Sequence, residues 1–283
     1  MQRYKIIHRT YYNYTAEVIL GTHSLLLRPR EDYELRIESF SLKTMPEAQV
    51  LWHRDVEGNS VGILKFDTAA SQLMIESEVV IEQFNESPLD FLMAEYAISF
   101  PFIYKTDDRI LLDAYMVLPE EETMKAVNAW IGNFYKQGEN IQTYTLLQRL
   151  AKYIYQTLSY KVREEAGVQS ARETLACGTG SCRDFALLFM DTLRCLGLAS
   201  RFVSGYLYAP LMSDMVGATH AWAEVYLPGA GWKGFDPTIG GIAGKDHIAV
   251  AVARLPEAVP PISGSFAGTA DSTLDVGVWV SQI

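Results

Sequence analysis

Residues 178–197, GTGSCRDFALLFMDTLRCLG, constrain the fold of this chain more than any other stretch. Two glycines lead into a helix that begins at Cys182, carries Phe185, Leu188, Phe189, Leu193 and Leu196 on one face, and stops at Gly197. A helix with one apolar face must bury it against another layer. Beyond Gly197 the chain supplies that layer as strands, with alternating or β-branched runs over residues 201–208, 221–227, 232–235, 247–254 and 273–280. Helices first and strands after predict an α+β unit in the second part of the chain.

Two strand residues matter beside the cysteine. His220 follows Cys182 by 38 residues, in ATHAWAEVYL, and Asp236 follows His220 by 16, in GWKGFDPT. On a strand, His220, Trp222 and Glu224 share one face, and Ala221, Ala223 and Val225 the other. The PGAG loop at 228–231 is short enough for a hairpin that brings Asp236 beside His220, and Pro237 holds Asp236 out of the helical region. A thiol, a base and an orienting carboxylate are the parts of a cysteine-nucleophile triad. The start of a helix favours a thiolate through its unpaired backbone N–H groups and partial positive charge, and the same N–H groups can face an oxyanion.

Each residue also has an ordinary structural reading. A cysteine on an amphipathic helix is commonly a small core residue, a strand histidine a surface or core group, and an Asp before Pro a turn former. Spacing alone leaves these readings beside the triad. The other thiols narrow the choice: Cys177 falls at a helix end, where the dipole disfavours a thiolate. Cys195 lies 13 residues past Cys182, ~20 Å away and ~220° around the axis, which rules out a shared zinc ion. With no C-x2-C pair, no metal is expected. Asp246 and His247 read as a solvated turn opening the strand at 247–254. Trp222 and Trp232 read as core, and Arg183 with Asp184 as an ion-pairing brace for the loop before the helix.

Up to about residue 84 the pattern is strand-like with short turns, which predicts an antiparallel β-sandwich. A looser stretch over 85–119 leads to helical periodicity after Pro119, where Glu120, Glu121 and Glu122 suit a first turn. A second helix is predicted over 143–160 from Leu146, Leu147, Leu150, Ile154 and Leu158. Ser170 and Glu173 form a capping-box pattern that opens a short helix ending near Gly178. The division predicted is a sandwich over 1–105 and a core over 106–283.

A formal net charge of −10 with no basic run argues against a nucleic-acid partner. Lys5, His8 and Arg9 interrupt the N-terminal apolar stretch, so neither a secretory signal nor a membrane span is expected. Three cysteines, an odd count, fit a reducing compartment, and the cytoplasm is the expected location.

The blocks GTGSCRDFALLFMDTLRCLGLASRFVSGYL, ATHAWAEVYLPGAGWKGFDPT and DHIAVAVARLPEAVPPISG together resemble the bacterial transglutaminase-like superfamily of cysteine proteases. The β-rich first part resembles the N-terminal domain that precedes this core in bacterial members. The resemblance implies a papain-like core, its central helix packed on an antiparallel sheet, with Cys182 as nucleophile, His220 as base and Asp236 as orienting acid. It implies acyl transfer at an amide of a peptide or protein substrate through a thioester, without a cofactor. Hydrolysis of a peptide or isopeptide bond is the expectation, because no EF-hand-like acidic loop marks a calcium site for crosslinking. Transamidation and a non-catalytic interaction module on the same scaffold are the alternatives. The segment 208–218 is expected to shape the cleft.

Overall fold

The structure is a computed structural model and describes residues 1–84, 87–163, 165–209 and 219–283. Six strands open the chain: β1 (Gln2–Leu20), β2 (His23–Leu25), β3 (Leu35–Met45), β4 (Gln49–Arg54), β5 (Ser60–Lys65) and β6 (Ala69–Gln83). A helical stretch with short bridging strands follows: β7 (Ser99–Phe100), α1 (Thr106–Leu112), α2 (Glu121–Ile131), β8 (Ile141–Gln142), α3 (Thr143–Thr157), β9 (Ser159–Tyr160), α4 (Ala171–Cys177), β10 (Thr179–Gly180) and α5 (Cys182–Cys195). The chain then forms β11 (Ser200–Leu207), β12 (His220–Leu227), β13 (Gly231–Asp236), β14 (Gly241–Ile242) and β15 (His247–Ala253). It ends with β16 (Ile262–Ser263), β17 (Phe266–Ala267) and β18 (Ser272–Gln282).

The first strands build the expected sandwich. In β1 the buried residues Tyr4, Ile6, His8 and Thr10 alternate with more exposed ones, and β6 does the same with Leu73, Ile75, Ser77, Val79 and Ile81. One sheet orders β3, β6, β1 and β18, with β17 also along β1; the other orders β16, β2, β5 and β4. They meet across Leu20, Leu25, Leu27, Leu64, Leu73 and Ile75. The expected division at residue 105 is crossed on the way back. β16 pairs with β2, and β17 and β18 pair with β1, so the C-terminal strands expected in the core complete the sandwich.

The core sheet is antiparallel, in the order β14, β13, β12, β11, β15. α5 lies across it, burying Phe185, Leu188, Phe189 and Leu193 against Ala221, Ala223, Val225, Leu227 and Phe235. Phe189 stacks on Phe235 with ring centroids 5.8 Å apart. Each such buried side chain contributes about 1.5–3 kcal/mol. The sandwich packs on this sheet beyond α5, where Tyr4, Ile6, Val79 and Ile81 meet Tyr206, Ile248 and Val250. The strands at 200–207 and 247–253 are largely buried on both faces, with Val203, Trp222 and Val252 clustered on the face away from α5.

Two helical details differ from the sequence reading. α1 falls within the stretch expected to be loose. Only Leu112 of it is buried while Ile110 and Leu111 face out, so it carries no helical hydrophobic period. α3 ends three residues early: Leu158 turns extended, and Ser159 and Tyr160 leave the helix to pair with Thr179 and Gly180. Among the described residues, no helix is long and apolar enough to cross a membrane.

Candidate active site

The start of α5 is built by short-range chemistry. α4 opens on the capping box of Ser170 and Glu173 and ends at Gly178, whose φ of 68° needs no Cβ penalty in glycine. Ser181 caps α5, and Asp184 reaches back to accept from both its backbone N–H and its hydroxyl, each at 2.8 Å. Cys182 is thus the first residue of the helix, where backbone N–H groups have no partner within the helix. Cys177 ends α4 and is exposed; burial, helped by Asp191, pushes the Cys195 thiol up to about 11.

Asp184 is fully buried and also accepts from Arg163 Nη1 and the Gln169 N–H, each at 2.8 Å. Burial favours its neutral form, but these bonds outweigh that and hold its carboxyl below the usual range. Arg183 donates to the carbonyls of Arg163 and Glu165. The two residues expected to brace the loop therefore do so, but Asp184 pairs with Arg163 rather than with Arg183.

His220 begins β12, and Asp236 ends β13. Their hairpin pairs Ala223 with Phe235, which leaves Asp236 one step further, level with Trp222 and diagonal to His220 on the same face. His220 Nε2 lies 2.7 Å from Asp236 Oδ2. That leaves Nδ1 for the Cys182 thiol, which is hydrogen-bonded to the ring. The residues singled out in the sequence thus meet at one point. Burial alone would lower His220, yet its hydrogen bonds to Asp236 and Cys182 outweigh that cost and raise it to about 10.

A residue the sequence reading set aside completes the cluster. His247 was expected in a solvated turn; it is instead buried, with Nε2 lying 3.0 Å from the same Asp236 Oδ2. Gly244 donates its N–H to His247 Nδ1 at 3.2 Å, so Nε2 is the protonated nitrogen and donates to Asp236. Asp236 Oδ1 accepts the Thr238 N–H at 2.8 Å. Burial pushes the Asp236 carboxyl up, but the bonds from His220 and His247 hold it far below the usual carboxylate range. His247 is buried against Trp222 of β12, with sandwich residues 30 and 32–35 facing it across a cavity, a long-range fact. The available local signal was its place directly before the uninterrupted apolar run IAVAVA.

His220, Asp236 and His247 offer three potential metal ligand atoms within 4.8 Å of one another. Their geometry is that of proton bridges: the histidine nitrogens lie 2.7 and 3.0 Å from one oxygen, closer than the roughly 3.4 Å between ligands that each stand ~2.0–2.2 Å from a tetrahedral zinc. The proton on His247 Nε2 also occupies the lone pair a metal would need.

Trp222 ties the cluster together. Its ring lies 5.1 Å from that of His247 and 6.2 Å from that of His220, and it is buried. It rests on two glycines: a Cβ at Gly205 would come within 2.7 Å of it, and one at Gly234 within 3.2 Å of Nε1. Cys182 and His220 line a cleft of about 440 Å³ walled by Tyr160, Val168, Phe202 and Val259, with Arg163, Arg183 and Glu257 as charged groups. Trp222 and Trp232 face a different cavity, in keeping with their reading as core. Residues 210–218, expected to shape the cleft, lie outside the described residues.

A family model described as the bacterial transglutaminase-like N-terminal region matches residues 4–82, and one described as the transglutaminase-like superfamily matches residues 134–237. This chain belongs to the transglutaminase-like superfamily. Cys182, His220 and Asp236 fall inside the second match, and His247 lies beyond it. The transglutaminase-like chain is 26% identical to an uncharacterized protein of Mycobacterium leprae over the full length of both. It is 28% identical to one of Mycobacterium tuberculosis, covering 98% of this chain and 91% of the relative. A crystal structure of a provisionally assigned cysteine protease from Cytophaga hutchinsonii shares the fold, with a TM-score of 0.73 at 18% identity over 100% of this chain and 91% of the other.

Proposed function

We propose that this transglutaminase-like protein is a thiol-dependent amide hydrolase acting on peptide or isopeptide bonds. The supporting observation is the hydrogen-bonded line from Cys182 through His220 to buried Asp236 at an open cleft. In this reading His220 takes the thiol proton on Nδ1, and Cys182 Sγ attacks the amide carbonyl. The oxyanion meets the backbone N–H of Cys182 at the positive end of α5. Collapse breaks the C–N bond as His220 returns its proton to the leaving amine, and a thioester remains on Cys182. Water, losing a proton to His220, then releases the acid and restores the thiol; a primary amine in place of water gives transamidation.

The apolar walls formed by Val168, Phe202 and Val259, with charged groups at Arg163, Arg183 and Glu257, fit a peptide or protein chain. The proposed compartment is the cytoplasm. Peptide, γ-glutamyl and isopeptide amides, assayed with and without an added primary amine, test the reaction, and iodoacetamide tests the nucleophile. Cys182 is expected to alkylate faster than Cys177 and Cys195 at neutral pH. Equal rates at all three thiols would sink the reading.

A further inference from the structure

Resting on that reading of the thiol site, we infer that His247 is a positioning residue of the reaction. It holds Asp236 ionised and aimed at His220 through their shared oxygen, and the N-terminal sandwich holds His247 in turn through Tyr4 and Asp246.

The donor direction is set by geometry. Gly244 N–H occupies His247 Nδ1, so the Nε2 proton points at Asp236 Oδ2. Asp236 thereby accepts on Oδ2 from two imidazoles and on Oδ1 from the Thr238 amide. A carboxylate with this many donors stays ionised when desolvated, and its oxygens cannot swing away from His220. The His247 ring is clamped against Trp222 and stands at the start of β15, opposite Leu207 of β11. The preceding residue, Asp246, has its Oδ1 3.0 Å from the Tyr4 hydroxyl, whose proton it shares with Gln2 Oε1, and its carbonyl accepts the Tyr208 N–H at 2.9 Å. Tyr4 belongs to β1 of the sandwich and is fully buried, with its ring 5.1 Å from that of Tyr208. A chain of contacts therefore runs from the first strand of the protein to the nucleophile: Tyr4, Asp246, His247, Asp236, His220, Cys182.

The ionisable groups facing this chain are Cys182 on α5, His220 on β12, Tyr160 on β9 and Asp246 just before β15. A cavity of about 270 Å³ behind His247 adds Arg201 with Glu224, paired at 2.7 Å, Lys233 of β13, and Arg30, Asp32, Tyr33 and Glu34 from the sandwich. They are present in wild type and variants alike, so their titration cancels from a comparison between the two.

The test is the alkylation rate of Cys182 by iodoacetamide from pH 4 to 10, mapped by mass spectrometry in the full chain. Wild type is compared with His247→Leu, His247→Gln and Tyr4→Phe. Loss of the donor in His247→Leu is expected to move the acid limb up by about one pH unit, because Asp236 protonates earlier and the imidazolium it supports is lost. The plateau at high pH stays put. His247→Gln, whose amide nitrogen can take the place of Nε2, is expected to restore most of the shift, and Tyr4→Phe to give a smaller shift in the same direction. A merely structural defect would lower the rate at every pH and leave the midpoint where it is; that result in His247→Leu and His247→Gln overturns the role of His247. An unmoved Tyr4→Phe overturns the part given to the sandwich. An inert wild-type Cys182 overturns instead the reading of the site on which this rests. Nitrogen-15 NMR of the histidine side chains decides the hydrogen bond independently of activity and of how the variants fold. His247 is expected as the Nε2–H tautomer, and an Nδ1–H tautomer overturns the inference.

Discussion

Gly205 lies directly under the ring of Trp222: a Cβ on the glycine would stand 2.7 Å from Cη2 of the indole and 2.2 Å from the Ile248 carbonyl oxygen. The indole in turn packs against both His220 and His247, whose own ring centroids stand 6.0 Å apart. Gly205→Ala must therefore either push Trp222 toward the histidines or part β11 from β15. The expected cost is about 1–3 kcal/mol of stability, the usual range for overpacking a filled site. Urea denaturation measures it, and slower Cys182 alkylation in the folded variant shows the displacement reaching the site.

The pairing of His220 with Asp236 gives stability a defined pH dependence. His220 is raised from 6.5 to about 10 in the folded chain, so its contribution is fully present below about pH 6.5 and is lost as pH rises through about 10. Asp236 is depressed, so its contribution is present above its unfolded value and is lost as pH falls toward its folded one. Asp236→Asn removes the carboxylate from this linkage and leaves His220 only its interaction with Cys182. Urea midpoints at pH 6, 8 and 10 are expected to fall across that window in wild type and to change much less in the variant.

Much of this site was legible because it is local. Glycines, a capping box and a helical apolar period fix the position of Cys182 within a few residues, and a hairpin fixes Asp236 near His220. His247 was not legible, because its burial depends on Trp222 of β12 and, from most of the chain's length away, on sandwich residues 30 and 32–35 facing it across a cavity. Asp246 and His247 are polar and stand at the start of a strand, which is also how a turn looks. The return of β16, β17 and β18 to the sandwich is likewise a pairing choice that alternation alone does not specify. α1 escaped notice for a different reason: with Ile110 and Leu111 exposed, its pattern contradicts its conformation.

Asp184 tests the loop that borders the cleft. It is fully buried and joins Ser181, Gln169 and Arg163, so it ties the cap of the Cys182 helix to Arg163 and Gln169. Asp184→Asn keeps the shape but leaves the Arg163 guanidinium only the exposed Glu165 at 3.6 Å as counter-charge, and breaking a buried pair of this kind costs up to about 3–5 kcal/mol. The expected result is a lower urea midpoint together with proteolytic cutting near Gly167, read by mass spectrometry. An uncut loop at wild-type stability would show that Arg163 finds another partner.

Asn59 is where the sandwich closes the edge of the core sheet. β15 is an edge strand, and its Val252 would expose an unpaired N–H and carbonyl. The buried Asn59 amide answers both: Nδ2 donates to the Val252 carbonyl at 2.8 Å, and Oδ1 accepts the Val252 N–H at 2.9 Å. The Arg30 N–H donates to the Ala249 carbonyl at 2.9 Å on the same strand. Asn59→Leu fills a similar volume but leaves two backbone groups unpaired, at about 1–3 kcal/mol each. The variant is expected to lose stability in urea and to show faster hydrogen exchange at Val252, while exchange within α5 changes only with global unfolding. Exchange unchanged at Val252 would mean that the edge of β15 is protected by packing alone.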